Sequence, residues 1–131
     1  VFTHIVIGCN EPEKSIAFYD ATFAALGIPG NRMGERAYYG SYGSGFFSVG
    51  RPADGGPATH ANGGTIGLAA PEPAAVDAWH QAGLANGGSD EGAPGRRDMP
   101  DAKLYGAYLR DPVGNKLCAF TTNVDAEQEV G

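Results

Sequence analysis

The feature that most constrains this chain is a pattern that occurs twice. His4-Ile5-Val6-Ile7 overlays Thr65-Ile66-Gly67-Leu68, and under the same shift Glu11-Pro12 overlays Glu72-Pro73 and Phe18 overlays Trp79. Further on, Tyr39-Gly40-Ser41-Tyr42 matches Tyr105-Gly106-Ala107-Tyr108, and Phe46-Phe47-Ser48-Val49 stands where Lys116-Leu117-Cys118-Ala119 stands. A repeat of this kind means one supersecondary unit used twice, each copy too small to bury its apolar face alone.

The local patterns say what the unit is. Phe2 to Cys9 predicts a strand, with Phe2, His4 and Val6 on one face and Ile5 and Ile7 on the other. Asn10 offers an N-cap, Pro12 falls in the first turn and Glu13 takes the capping-box position. Ile16, Tyr19, Phe23 and Leu26 recur at helical spacing, so a helix is expected to about Leu26, ended by Gly27 with Pro29 beyond. Met33 to Tyr42 and Gly45 to Val49 read as two or three strands. Thr65 to Ala69 repeats the first strand, and Pro73 to about Leu84 repeats the helix, with Val76 and Trp79 as core contacts. Gly87 to Gly95 reads as a loop, followed by strands near Arg96, at Leu104 to Arg110 and at Asn115 to Thr122.

Asp111-Pro112-Val113-Gly114 has the chemistry of a type I turn. Pairing outward from Arg110 opposite Asn115 sets Ala107 beside Cys118 and Tyr105 beside Phe120 on a face that opens to a cavity. It sets Tyr108 beside Leu117 on the face toward the helices, and Tyr42 is expected there too. The resulting fold class is α+β: two βαβββ modules, about 1–52 and 62–122, forming a cup-shaped mixed sheet with helices outside. A Gly- and Pro-rich linker, 53–61, joins them, the polar tail 123–131 is expected to fray, and 1–131 make a single domain.

Charge and cysteine content narrow the partners. A net charge of −6 argues against nucleic acid and anionic membrane, and suits a neutral or cationic small molecule. No apolar run approaches the ~20 residues of a membrane span, and no N-terminal stretch reads as a signal peptide. Cys9 and Cys118 lack CxxC spacing and lie in apolar runs, so buried reduced thiols and a cytoplasmic location are expected.

The opening THIVIGCNEPEKSIAFYDATFAALGI and the closing YGAYLRDPVGNKLCAF resemble the glyoxalase, bleomycin-resistance and extradiol-dioxygenase superfamily, the vicinal oxygen chelate proteins. The resemblance covers nearly the whole chain, and RDPVGN followed by a strand is its most specific part. It implies a homodimer, with the cup completed across two copies in several relatives. It also implies a divalent metal at the bottom of the cup, held from the first and last strands of each module. Those positions read His4, Ser48, Thr65 and Cys118 here, and only His4 matches; relatives carry His in place of Thr65 and Glu in place of Cys118.

A Thr hydroxyl is a poor ligand for Mg²⁺, Mn²⁺, Fe²⁺ or Ni²⁺. Cys118 with His4 suits Zn²⁺ but falls short of the usual three protein ligands. The ligand set is therefore incomplete and the cofactor open. His60, shortly before Thr65, is out of register and reads as an exposed loop histidine rather than a third ligand; His80 reads as a helix-surface or core-edge residue. His4 is either half of a metal site or a cup-lining histidine hydrogen-bonded to Tyr39 or Tyr105, able to act as acid or base without metal. Tyr39, Phe46, Ser48, Thr65, Tyr105, Lys116, Cys118 and Phe120 are the expected ligand-binding residues, the alternative for the aromatic ones being a packed core. Three functions stay open: a small-molecule-binding protein, a metal-dependent lyase, isomerase or dioxygenase, and a metal-free drug-sequestering protein.

Overall fold

A proline opens each helix, where its missing N–H costs nothing because first-turn amides have no intrahelical partner. The computed structural model, which describes residues 1–125, places these helices at α1 (Pro12–Ala25) and α2 (Pro73–Ala85). The strands of the first half are β1 (His4–Gly8), β2 (Gly30–Met33), β3 (Arg36–Ser41) and β4 (Gly45–Gly50). Those of the second are β5 (Thr65–Ala69), β6 (Ser89–Arg96), β7 (Tyr105–Arg110) and β8 (Lys116–Thr121). The fold is α+β, with βαβββ occurring twice.

The strands make two four-stranded sheets, β1-β4-β3-β2 and β5-β8-β7-β6, rather than one curled sheet. In each, the first strand runs parallel to the last and the other pairings are antiparallel. β1 and β5 are therefore both sheet edges. The registers repeat: His4 opposes Phe46 and Val6 opposes Ser48, as Thr65 opposes Lys116 and Gly67 opposes Cys118.

One expected match is corrected by the same registers. Tyr38 opposes Ser48 and Tyr108 opposes Cys118, so Tyr38, not Tyr42, is the counterpart of Tyr108. Tyr42 lies beyond β3, 85% exposed and not against the helices. The recurring Tyr-Gly-small-Tyr is a coincidence of composition.

The β7–β8 hairpin is also one residue out of the expected register, Arg110 pairing with Lys116. Asp111 N–H donates to the Asn115 carbonyl and Gly114 N–H to the Asp111 carbonyl, while Gly114 adopts φ 107°. This is a type I turn followed by a left-handed glycine, a loop one residue longer than the turn alone. The slip reverses who shares a face. Tyr105, Ala107, Leu109, Leu117, Ala119 and Thr121 are buried against the helices. Tyr108 falls on the opposite side with Lys116, Cys118 and Phe120.

The inward faces of both sheets and the two helices build one core around Phe18, Tyr19, Tyr39, Trp79, Leu109 and Leu117. α1 packs on α2, and Gly83 permits the approach: a Cβ there would collide with Leu109 and stand 3.2 Å from Phe18. Tyr19, Phe23, Tyr39 and Phe47 make ring contacts with centroids 4.5 to 6.3 Å apart. Each such pair contributes about 0.5–1.5 kcal/mol beyond its buried area.

Other local expectations shift for identifiable reasons. Asn10 does not cap α1; its side chain bonds both the N–H and the carbonyl of Ala58 and ties the inter-module link to the end of β1. The expected loop at 87–95 is mostly β6, a strand without β-branched residues whose Pro94 is tolerated at a sheet edge and whose register shifts twice. The expected fraying tail begins packed, since Val124 is buried and the Asn123 amide donates to the Pro71 carbonyl. Residues 126–131 lie outside the described residues.

Candidate functional site

Alternation sends every second strand residue to the face turned away from the helices. On the first sheet, His4 and Phe46 lie in one row and Val6, Ser48 and Tyr38 in the next. Arg36 lies over Gly50, where an added Cβ would come 2.6 Å from the guanidinium carbon. On the second sheet the equivalent rows are Thr65, Lys116 and Arg110, then Gly67, Cys118 and Tyr108, then Ala69, Phe120 and Gly106.

The first outer face is aromatic at one end and cationic at the other. The His4 ring stacks on Phe46 with centroids 4.8 Å apart and planes 7° off parallel. Its Nδ1 shares a 2.9 Å hydrogen bond with Thr3 Oγ1. Tyr38 and Tyr42 approach Phe46 at 5.9 and 4.9 Å. Arg36 Nη1 donates to Ser48 Oγ at 3.0 Å, and Nη2 to the Arg51 carbonyl at 3.3 Å.

The second outer face carries the same elements in reverse order. Lys116 Nζ lies 5.1 Å from the Tyr108 ring centroid, and Tyr108 meets Phe120 edge-on at 5.6 Å. Cys118 sits between them. Burial pushes its thiol above the ordinary range, and the nearby Lys116 ammonium offsets part of that.

Of the expected site residues, His4, Phe46 and Ser48 share one outer face, and Thr65, Lys116, Cys118 and Phe120 share the other. No strand pairing joins the two sheets among the described residues. Tyr39 and Tyr105 point inward instead: Tyr39 Oη donates to Asp20 at 2.7 Å and Tyr105 Oη to Asp77 at 2.6 Å. His4 therefore takes Thr3 as its partner in place of either tyrosine. His60 is exposed and abuts Gly114 of the β7–β8 turn. His80 is buried and bonds Asp90 at 2.8 Å, which holds the Asp90 carboxyl below the usual range. The sequence did not point to Arg36 and Tyr38, and it set Tyr108 toward the helices, where the register instead places it on the outer face. Alternation counted from Val49 through β3 reaches the first two.

A divalent metal does not fit these residues. Ser48 Oγ already accepts from a guanidinium, Thr65 stands opposite Lys116, and the Cys118 thiol is held protonated by burial. Cations at two of the four expected positions repel a third. Among the described residues no three His, Cys, Asp or Glu side chains cluster closely enough to hold a metal ion.

Comparison with known proteins gives one family. The family model for the Glyoxalase/Bleomycin resistance protein/Dioxygenase superfamily matches residues 1–119. A glyoxalase/bleomycin resistance protein from Albidiferax ferrireducens T118 is similar at 50% identity and a TM-score of 0.86, over 92% of this chain and 98% of that one. A glyoxalase-related enzyme from Fulvimarina pelagi shares the fold at 20% identity and a TM-score of 0.68, over 92% of this chain and 87% of that one. A lactoylglutathione lyase from Agrobacterium tumefaciens shares it at 19% identity and 0.62, over 94% of each chain. No curated protein matches the chain.

Proposed function

Since the chain belongs to the glyoxalase/bleomycin resistance protein/dioxygenase superfamily, we propose that it binds a small molecule in a cup lined by its two outer sheet faces, without a metal. The observation that carries this reading is the paired aromatic surface. Phe46, His4 and Tyr38 cluster on one face, and Tyr108 and Phe120 on the other, with Tyr38 and Tyr108 at equivalent registers. Rings of this kind offer a flat ligand large contact area at low cost in side-chain entropy.

The cup is completed in a homodimer, the first sheet of one copy facing the second sheet of another. Phe2 and Val6, 73% and 54% exposed, flank the free β1 edge and supply apolar surface for a second copy to cover. The protein works in the cytoplasm, where free thiols such as Cys9 and Cys118 persist. No helix among the described residues is long and apolar enough to cross a membrane. A lyase or dioxygenase of this superfamily needs a metal to polarise neighbouring substrate oxygens, and the residues at the expected positions do not favour one.

Light scattering, metal analysis and thermal-shift screening of the purified protein against small aromatic compounds test the reading together. A dimer, substoichiometric metal and stabilisation that survives chelator but is lost in Phe46→Ala are expected. Stoichiometric metal removed by His4→Ala would replace it with the metal-enzyme reading.

A further inference from the structure

The whole chain carries a charge of −6, yet the outer faces have the opposite sign. The outward residues of β1, β3, β4, β5, β7 and β8 include Arg36, Arg110 and Lys116 but no Asp or Glu. Arg110 is neutralised from β6 by Glu91 at 3.0 Å, and Lys116 rests on the Tyr108 ring. Neighbouring Arg51 is held by Glu35 at 3.2 Å. Arg36 is half-buried, and among the described residues its bonds go to an uncharged hydroxyl and an uncharged carbonyl. Among the described residues no carboxylate pairs with it, and a guanidinium partly removed from water without an ion-pair partner is an unfavourable arrangement that an anion relieves.

The surroundings of Arg36 have room for one. The segment after β4 folds back over Gly8, so that Val6, Gly8, Arg36, Arg51 and Asp54 border a cavity of about 350 Å³. Along β4 the outward positions run Gly50, Ser48, Phe46, spaced by about 6.6–6.8 Å as alternate residues of a strand are. A cation at Ser48 and a ring cluster at Phe46 are thus one small aromatic acid apart.

We infer that Arg36, its guanidinium held in place by the buried Ser48 hydroxyl, forms the carboxylate-binding end of the first sheet's ligand site, and that the ligand class is an aromatic monocarboxylate whose ring rests on Phe46 and Tyr38. This rests on the small-molecule reading above and names its substrate class. The planar guanidinium fork matches the two oxygens of a carboxylate, and one uncompensated positive charge matches a monoanion better than a phosphate dianion. Among the described residues Asp54 is the one carboxylate bordering the cavity; its Oδ1 accepts the Gly56 N–H at 2.8 Å. Its charge opposes the ligand, so removing it strengthens binding. The local field, not the net charge, sets the preference, contrary to the cationic or neutral ligand that composition suggests.

The test is an amide-shift titration of the full chain by NMR with benzoate, phenylacetate, benzyl alcohol and benzylamine. The acids are expected to bind roughly tenfold tighter than the alcohol, as charge-assisted hydrogen bonds are about twice as strong as neutral ones. Arg36→Gln should abolish that margin, Arg36→Lys should keep part of it, and Asp54→Asn should tighten the acids alone. Equal binding of acid and alcohol, or a margin indifferent to Arg36→Gln, overturns the carboxylate assignment and leaves the aromatic cup standing. Failure of all the probes, with no shift at Phe46, sinks both. The amide spectrum shows whether each variant is folded; should Arg36→Gln unfold, an Asp54→Asn variant that binds the acids no better is the refuting result.

Discussion

Tyr19 Oη donates a 2.5 Å hydrogen bond to Asp111 Oδ2, joining the helix of the first module to the hairpin turn of the second. Asp111 is 4% exposed, and its Oδ1 accepts the N–H groups of Val113, Gly114 and Asn115, each at 2.9 Å. One carboxylate thus shapes the turn and clamps the two modules. Burial, then the adjacent Asp111 charge, pushes the Tyr19 hydroxyl well above the ordinary phenol range, so it remains the donor.

Loss of this clamp should be visible in urea unfolding. Tyr19→Phe removes a hydrogen bond to a charged group and should cost about 1.5–3 kcal/mol. Asp111→Ala should cost more, because it strands the turn amides as well as the phenol. A Tyr19→Phe change within ~0.5 kcal/mol would mean that the bond adds nothing net to folding.

The faces of the sheets give a second contrast. Leu117 is fully buried, so Leu117→Ala should destabilise by roughly 2–5 kcal/mol. Tyr42 is 85% exposed, and Tyr42→Ala should stay within about 0.5 kcal/mol in the same assay. The reverse ranking would mean that the hairpin register described above is wrong.

Cys118 supplies a pH prediction. Burial raises its thiol and Lys116 lowers it in part. Alkylation of Cys118, followed by peptide mass spectrometry to separate it from Cys9, should be slow at neutral pH and accelerate only above the ordinary thiol range of about 8.5. Lys116→Gln should slow it further at any given pH, because the ammonium that favours the thiolate is gone. The native state holds the proton more tightly than the unfolded chain does. Its contribution to stability is therefore complete below the ordinary thiol range and drains away as pH climbs toward the raised native value. A thiol that reacts quickly at neutral pH would contradict the burial argument.

How much of this was legible in the residues depends on the range of the forces involved. The order βαβββ, twice, is set by local patterning: β-branched runs, a proline entering each helix, an apolar stripe at helical spacing. His4 against Thr65 and Ser48 against Cys118 were likewise readable, because a repeat aligns without coordinates. Strand alternation, however, determines only that neighbours point apart, not which set points in. Gly114, by taking φ 107°, shifted the β7–β8 pairing by one residue and moved Tyr108 to the outer face. Tyr39 and Tyr105 went inward because Asp20 and Asp77 on the helices accept their hydroxyls; a tyrosine is satisfied on either side of a sheet, and only the packed helices decide. The uncompensated charge of Arg36 belongs to the tertiary structure alone, since it depends on which carboxylates other elements bring within reach, and Glu35 goes to Arg51 instead.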